Sequence, residues 1–163
     1  MTIALRSLQT GDEEVAVRWA ADHEFCLAAD WTPGLSARAV RRHWQTIIAG
    51  GDPTFLRWGI TLEGDLIGFV DLGRITVHTA ELGIVIGERA RWGQGIARGA
   101  CAQVLAWAWA SGLDEVTARV HQPNERSHAL MRHLGLVADG WDGMETYRGE
   151  VVRVQRYRIT RPE

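Results

Sequence analysis

Between Ile3 and Leu8 apolar and polar positions alternate, the period of a strand. Thr10-Gly11-Asp12 then supplies a turn and a cap, and from Glu13 to His23 the spacing changes: Val15, Trp19 and Ala20 fall on one helical face. Asp30 to Leu35 reads as a loop. Ser36 is placed to cap a second helix carrying Val40, Trp44, Ile47 and Ile48, which Gly50-Gly51 ends. Two β-rich runs, Phe55 to Leu62 and Leu66 to Leu72, are joined through Glu63-Gly64-Asp65, a hairpin signal, and a third runs from His78 to Ile86. Beyond Trp92-Gly93-Gln94-Gly95, the residues Ala97, Ala100, Cys101, Val104, Leu105 and Ala108 recur three and four apart until Ser111-Gly112 stops the helix. Val116 to Val120 is a further strand, and Pro123-Asn124 opens a short helix that ends at Gly135. Runs around Met144 to Tyr147 and from Val151 to Ile159 close the chain as a hairpin about Arg148-Gly149-Glu150.

This order predicts a single α+β or α/β domain over residues 1–163 with a mixed sheet. The strand-helix-strand unit from His78 to Val120 should be a right-handed parallel crossover. It puts the glycine turn at the carboxyl end of its strand, where ligands bind in such sheets. A strand that turns through glycines into a helix is also an anion site: the first amides of the helix have no partner within it and carry the positive end of its dipole.

Composition narrows the ligand. The net charge of −2 gives no reason to expect nucleic acid or an anionic membrane as a partner. All 18 basic residues are arginine, which excludes a lysine nucleophile or Schiff base and leaves arginine for phosphate contacts. The segment Met1 to Arg6 lacks the features of a signal peptide, and no apolar run approaches membrane-spanning length, so the expected location is cytoplasmic. Cys26 and Cys101 read as buried small hydrophobes. His121, His128 and His133 have no closely spaced Cys or carboxylate partner in a recognised metal-binding pattern, so no metal is expected. A nicotinamide fold would want glycine or alanine at position 98, which is arginine, and a βα unit at the start of the domain.

Glu81-Leu82-Gly83-Ile84-Val85-Ile86-Gly87 followed by Trp92-Gly93-Gln94-Gly95-Ile96-Ala97 resembles the coenzyme A-binding motif of the GNAT N-acetyltransferases, in particular their RimJ/RimL-type branch. Gly95 and Ala97 match the pattern, and Trp92 stands where Gln or Arg is usual, a replacement common in that branch. A second, independent match is Asn124-Glu125-Arg126-Ser127 through Leu134-Gly135-Leu136. The family often carries a tyrosine seven residues after that asparagine to protonate the departing thiolate. Here it is Met131, which shifts that role to Ser127.

The resemblance implies a three-layer α+β fold: a mixed, mostly antiparallel sheet of about seven strands with a V-shaped splay, flanked by about four helices. In the family a bulge opens the splay. Acetyl-CoA is the implied donor. The amides of Arg91, Trp92, Gly93, Gln94, Gly95, Ile96 and Ala97 would hold its pyrophosphate, helped by the Arg91 or Arg98 side chain. Ile84, Val85 and Ile86 would pair with pantetheine, and Asn124 and Ser127 would sit beside it. Removing a proton from the acceptor amine needs a carboxylate or a water held by one. Glu81 is the first choice, with Glu145 and Asp71 behind it and a solvated strand-edge carboxylate as the competing reading for each. Asp30 and Trp31 lie in a segment that forms part of the family's acceptor pocket and would hold a cationic amine, with plain packing of Trp31 as the alternative. The implied acceptor is a small-molecule amine or a protein N-terminus, and homodimers are common in the family. The reading from another class is a non-catalytic acyl-CoA-binding module, which Met131 and the unassigned base keep open.

Overall fold

Seven segments rich in β-branched and aromatic residues pair into one sheet, seen in a computed structural model that describes residues 2–163; Met1, the first residue of the N-terminal reading, lies outside the described residues. The strands are β1 (Ile3–Ser7), β2 (Leu56–Leu62), β3 (Asp65–Gly73), β4 (Thr79–Ile86), β5 (Glu115–His121), β6 (Val137–Tyr147) and β7 (Glu150–Thr160), in the spatial order β1-β2-β3-β4-β5-β7-β6. Every neighbouring pair is antiparallel except β4 and β5, which are parallel.

That parallel pair opens the sheet. β4 and β5 are in register only from Thr79↔Glu115 to Glu81↔Thr117, after which Leu82 to Ile86 leaves Ala118 to His121. The expected splay is present. Its expected cause is different, because β4 stays in unbroken register with β3 from Gly73↔Glu81 to Gly68↔Ile86. The divergence therefore comes without a register shift on that side. It leaves two strand edges facing a gap, with backbone groups available for an extended ligand.

Helices α1 (Asp12–Ala20), α2 (His23–Ala29) and α3 (Ala37–Ala49) cover one face of the sheet, and α4 (Ile96–Ala110) and α5 (Glu125–Leu134) cover the other. β3 serves both layers: Val70 and Leu72 pack under α4, while Phe69, and Leu66 beyond a register shift against β2, join Trp19, Phe25 and Trp44 beneath α1 to α3. The sequence reading merged α1 with the start of α2. Asp22 separates them, since its side chain accepts the Phe25 N–H at 3.3 Å and starts a new helix, which makes five helices rather than four. Ser36 caps α3 as expected, accepting from Ala39 N–H at 3.1 Å. Cys26 and Cys101 are buried free thiols, and burial pushes Cys101 up to about 12.

Two features seat the layers around the end of β4. Gly87 lies so close to α1 that a Cβ there would stand 2.1 Å from the Trp19 ring. Beyond it a 3₁₀ turn (Arg89–Arg91) is tied back to α1 and α2 by Arg18–Glu88 and Arg89–Asp22 ion pairs. Among the described residues no helix is long and apolar enough to cross a membrane.

Candidate active site

The gap between β4 and β5 continues into a cavity of about 490 Å³, closed by the glycine turn on one side, by α2 on another and by the end of β6 on a third. Its size suits the pantetheine and pyrophosphate portion of a cofactor rather than a single small anion.

The turn is built as the sequence predicts. Gly93 and Gly95 adopt left-handed φ values of 77° and 79°, which only glycine enters freely, and a Cβ on either would meet no protein atom within 4 Å. Gly95 is the residue that precedes α4, and no side chain caps that helix. The amides of its first turn, Ile96 to Arg98, are therefore left to solvent or a ligand. Trp92 fixes the entry to the turn: its Nε1 donates to the carbonyl of Ile86 at 2.8 Å, pinning the loop to the end of β4. Arg126 from α5 lies over the Trp92 ring, its guanidinium carbon 4.3 Å from the centroid.

All the residues expected to touch the donor come together here. Ile84, Val85 and Ile86, the run from Arg91 through Trp92, Gly93, Gln94, Gly95, Ile96 and Ala97 to Arg98, and Asn124 and Ser127 line this one cavity. Asn124 starts α5 and accepts the Ser127 N–H at 3.3 Å, so it orients the turn that presents Ser127. Met131 is buried in the core beneath α5 and offers no polar group.

The three carboxylates weighed as base are separated. Glu81 lies in the paired part of β4, opposite Thr117, and does not line the cavity. Asp71 is gripped by Arg57 through two bonds of 2.7 and 2.8 Å, and that guanidinium in turn lies 3.9 Å over the Phe69 ring. Burial raises the Asp71 carboxyl despite Arg57. Glu145 does not line the cavity either, but it lies two residues before Tyr147, which does. One oxygen meets His121 Nε2 at 3.0 Å, and the other meets Arg119 Nη2 at 2.6 Å. Burial pushes Glu145 up, but the bonds and charges of Arg119 and His121 outweigh it and hold the carboxyl below its ordinary value.

Asp30 and Trp31 part company. Asp30 ends α2 in a left-handed conformation (φ 57°) and brings its carboxylate to 3.9 Å from His121. Trp31 packs among Phe25, Trp44 and Phe69, with centroids 5.0 to 6.4 Å away. His128 is a satisfied core histidine, donating to the Gln122 carbonyl at 3.0 Å and accepting from the Tyr157 hydroxyl at 2.6 Å.

Four polar lining residues were not anticipated: Arg126, His133, Tyr147 and Arg148. Arg126 was legible in principle, since it belongs to the first turn of a helix that the sequence placed beside the donor. Tyr147 and Arg148 arrive from the far end of the chain by way of β6, and no local pattern announces them.

The family description "Acetyltransferase (GNAT) domain" matches residues 2–137, so the chain belongs to the GNAT acetyltransferase family and is an acyl-CoA-dependent N-acetyltransferase. Its fold is similar to that of a spermidine N-acetyltransferase from Vibrio cholerae crystallised with CoA and spermine (TM-score 0.84, 23% identity, covering 97% of this chain and 95% of that one). It is also similar to RimL, a ribosomal L7/L12 α-N-protein acetyltransferase crystallised with coenzyme A (0.86, 18%, 98% and 94%), and to RimJ of Mycobacterium smegmatis (0.83, 23%, 97% and 81%). In sequence it is 35% identical over 69 residues to an uncharacterised protein of Methanocaldococcus jannaschii; the match covers 42% of this chain and only 14% of that longer protein.

Proposed function

We propose that this protein transfers an acetyl group from acetyl-CoA to a primary amine, either a small molecule or a protein N-terminus, by direct attack within a ternary complex. The observation that carries this reading is the single cavity in which an uncapped helix N-terminus, two left-handed glycines and an open strand edge meet Ser127.

Those residues fit the donor's chemistry. The amides after Gly95 offer donors for pyrophosphate at the positive end of α4, and Arg91, Arg98 and Arg126 add fixed positive charge around them. The free edge of Ile84 to Ile86 offers backbone groups to the amides of pantetheine. Acetyl-CoA supplies an activated acyl group and a thiolate leaving group. A backbone N–H on the β4 edge would polarise the acyl carbonyl, and the Ser127 hydroxyl would give its proton to the departing sulfur.

The acceptor side is acidic and aromatic. Asp30 and Glu145 flank the edge where α2 meets β6, an arrangement that would draw an ammonium toward the cavity. The neighbours named for spermidine and for a ribosomal protein N-terminus both concern amine acceptors, which supports the class. The outer strand β6 leaves Val137, Trp141 and Met144 exposed, and a second copy of the chain would cover them; sedimentation at micromolar concentration tests the dimer.

The experiment that tests the function is thiol release from acetyl-CoA with polyamines, amino acids and short peptides as acceptors, with the acetylated product identified by mass. Product formation with one acceptor class is the expected result. Tight CoA binding with no product from any amine would favour the non-catalytic CoA-binding reading.

A further inference from the structure

We infer that His121, oriented by Glu145, is the proton acceptor for the incoming amine; the inference rests on the acetyltransferase reading above. His121 is the last residue of β5, just where that strand has left β4. Its imidazole is largely covered and stacks on Tyr147, with centroids 4.6 Å apart and planes 17° from parallel, and Tyr147 is itself a wall of the cavity. Glu145 precedes Tyr147 by two on β6, so both side chains leave the same face of that strand.

The tautomer follows from the bonding. Glu145 Oε1 lies 3.0 Å from Nε2. A carboxylate only accepts, so in the neutral ring Nε2 carries the hydrogen and Nδ1 holds the lone pair. Nδ1 makes no hydrogen bond among the described residues, and none of their unpartnered polar side-chain atoms is fully buried, so Nδ1 keeps some access to solvent. An oriented imidazole with a free basic nitrogen beside a binding cavity has the form of a general base.

Its charged surroundings come from three elements. Glu145 and the Tyr147 hydroxyl face it from β6, and Asp30 faces it from the end of α2 at 3.9 Å. From β5 itself Arg119 reaches the second oxygen of Glu145, which fixes the carboxylate. Across on β7 the register partner is Val154, which has no charge. Two carboxylates thus lie beside the ring that would take the proton. Arg119 already supplies a cation to Glu145, which disfavours a metal ion in the same place.

The proton balance is complete. An aliphatic ammonium with a pKa near that of lysine is neutral in only about one molecule in 10³ at pH 7. The ammonium gives its first proton through one water to His121 Nδ1, and the imidazolium later passes it to solvent. The freed nitrogen lone pair forms the N–C bond to the acyl carbon while the C–S bond breaks. The second proton leaves the nitrogen as the amide forms and, through solvent, restores the Ser127 hydroxyl that has given its own proton to the thiolate, so one proton is released overall.

The test compares wild type, His121→Asn and Glu145→Gln with two acceptors of one shape: a strongly basic alkylamine and a fluorinated analogue that is neutral at pH 7. His121→Asn should lower kcat/KM at least 10²-fold for the basic amine and less than tenfold for the neutral one, with CoA affinity unchanged. Glu145→Gln keeps the imidazole but removes the carboxylate that orients it, so kcat/KM should fall by more for the basic amine than for the neutral one. It serves in place of His121→Asn should that variant fold poorly. Equal losses with both amines in both variants would overturn the assignment of His121 while leaving the acetyltransferase reading intact. A wild-type protein that releases no thiol with any amine would overturn both.

Discussion

Replacing Gly95 by alanine separates what the chain needs from this glycine from what the donor needs. The residue sits at φ 79°, and an L side chain enters that region at a cost of about 1–2 kcal/mol. A Cβ there meets no protein atom within 4 Å, so no clash adds to the cost. In a domain of this size each kcal/mol moves Tm by about 2–4 °C, and Gly95→Ala should melt about 2–8 °C below wild type. Gly112 provides the control. It is also left-handed, at φ 95°, and also has open space around it, but it lies beyond the other end of α4 and outside the cavity. Gly112→Ala should lose a similar amount of stability. The two variants should differ toward CoA, because the methyl on Gly95 occupies space through which phosphate reaches the first amides of α4. Loss of one hydrogen bond to a charged group costs about 1.5–3 kcal/mol, which raises Kd on the order of 10- to 100-fold. Calorimetric titration with CoA, paired with thermal melts, reads both effects. If Gly95→Ala binds CoA within twofold of Gly112→Ala, the glycine turn is not the pyrophosphate cradle.

Three further perturbations test separate parts of the account. Ser127→Ala should lower kcat about 10²-fold with CoA affinity within threefold of wild type, and unchanged turnover would remove Ser127 from the proton-donor role. Trp92→Phe keeps an aromatic face for Arg126 but deletes the 2.8 Å bond to the Ile86 carbonyl, a loss of about 1 kcal/mol that should weaken CoA binding roughly fivefold; binding equal to wild type would show that the pin is dispensable. Arg57→Met leaves Asp71 buried without its partner and should cost about 3–5 kcal/mol at neutral pH. Burial already raises the Asp71 carboxyl, and removing the opposing Arg57 raises it further. The folded variant then holds this proton more tightly than the unfolded chain does. Its stability should be greatest below the unfolded carboxyl pKa of about 3.9 and fall as pH rises through the folded value. A Tm deficit that is the same at pH 5 and pH 8 would contradict this.

The fold was legible where periodicity was strong. α4 repeats its small apolar residues at helical spacing because that face lies on the sheet, and β2 to β4 carry the β-rich runs that a central sheet demands. The glycine turn was legible because its two left-handed residues have to be glycine. Signals were weaker at the margins. α2 is only seven residues long, and its first residue falls inside the run that reads as one helix from Glu13 to His23, so no separate period marks it. β6 begins at Val137, well before the run that the sequence marked. It is exposed for most of its length, and register shifts around Gly140 and Gly143 break its alternation, so no period of two could form. The donor side of the site was readable because it is local to one turn and one helix start. Asp30 and Glu145 were legible only singly; their meeting with His121 was not, because the three come from distant segments that only the sheet order brings within 4.8 Å of one another.

The most direct measurement follows CoA binding and thiol release together, in one preparation, with acetyl-CoA and a panel of primary amines and N-terminal peptides. The account predicts saturable CoA binding and thiol release matched one for one by acetylated amine, with both weakened in Gly95→Ala. Tight binding of CoA by wild type with no thiol released by any amine would contradict it.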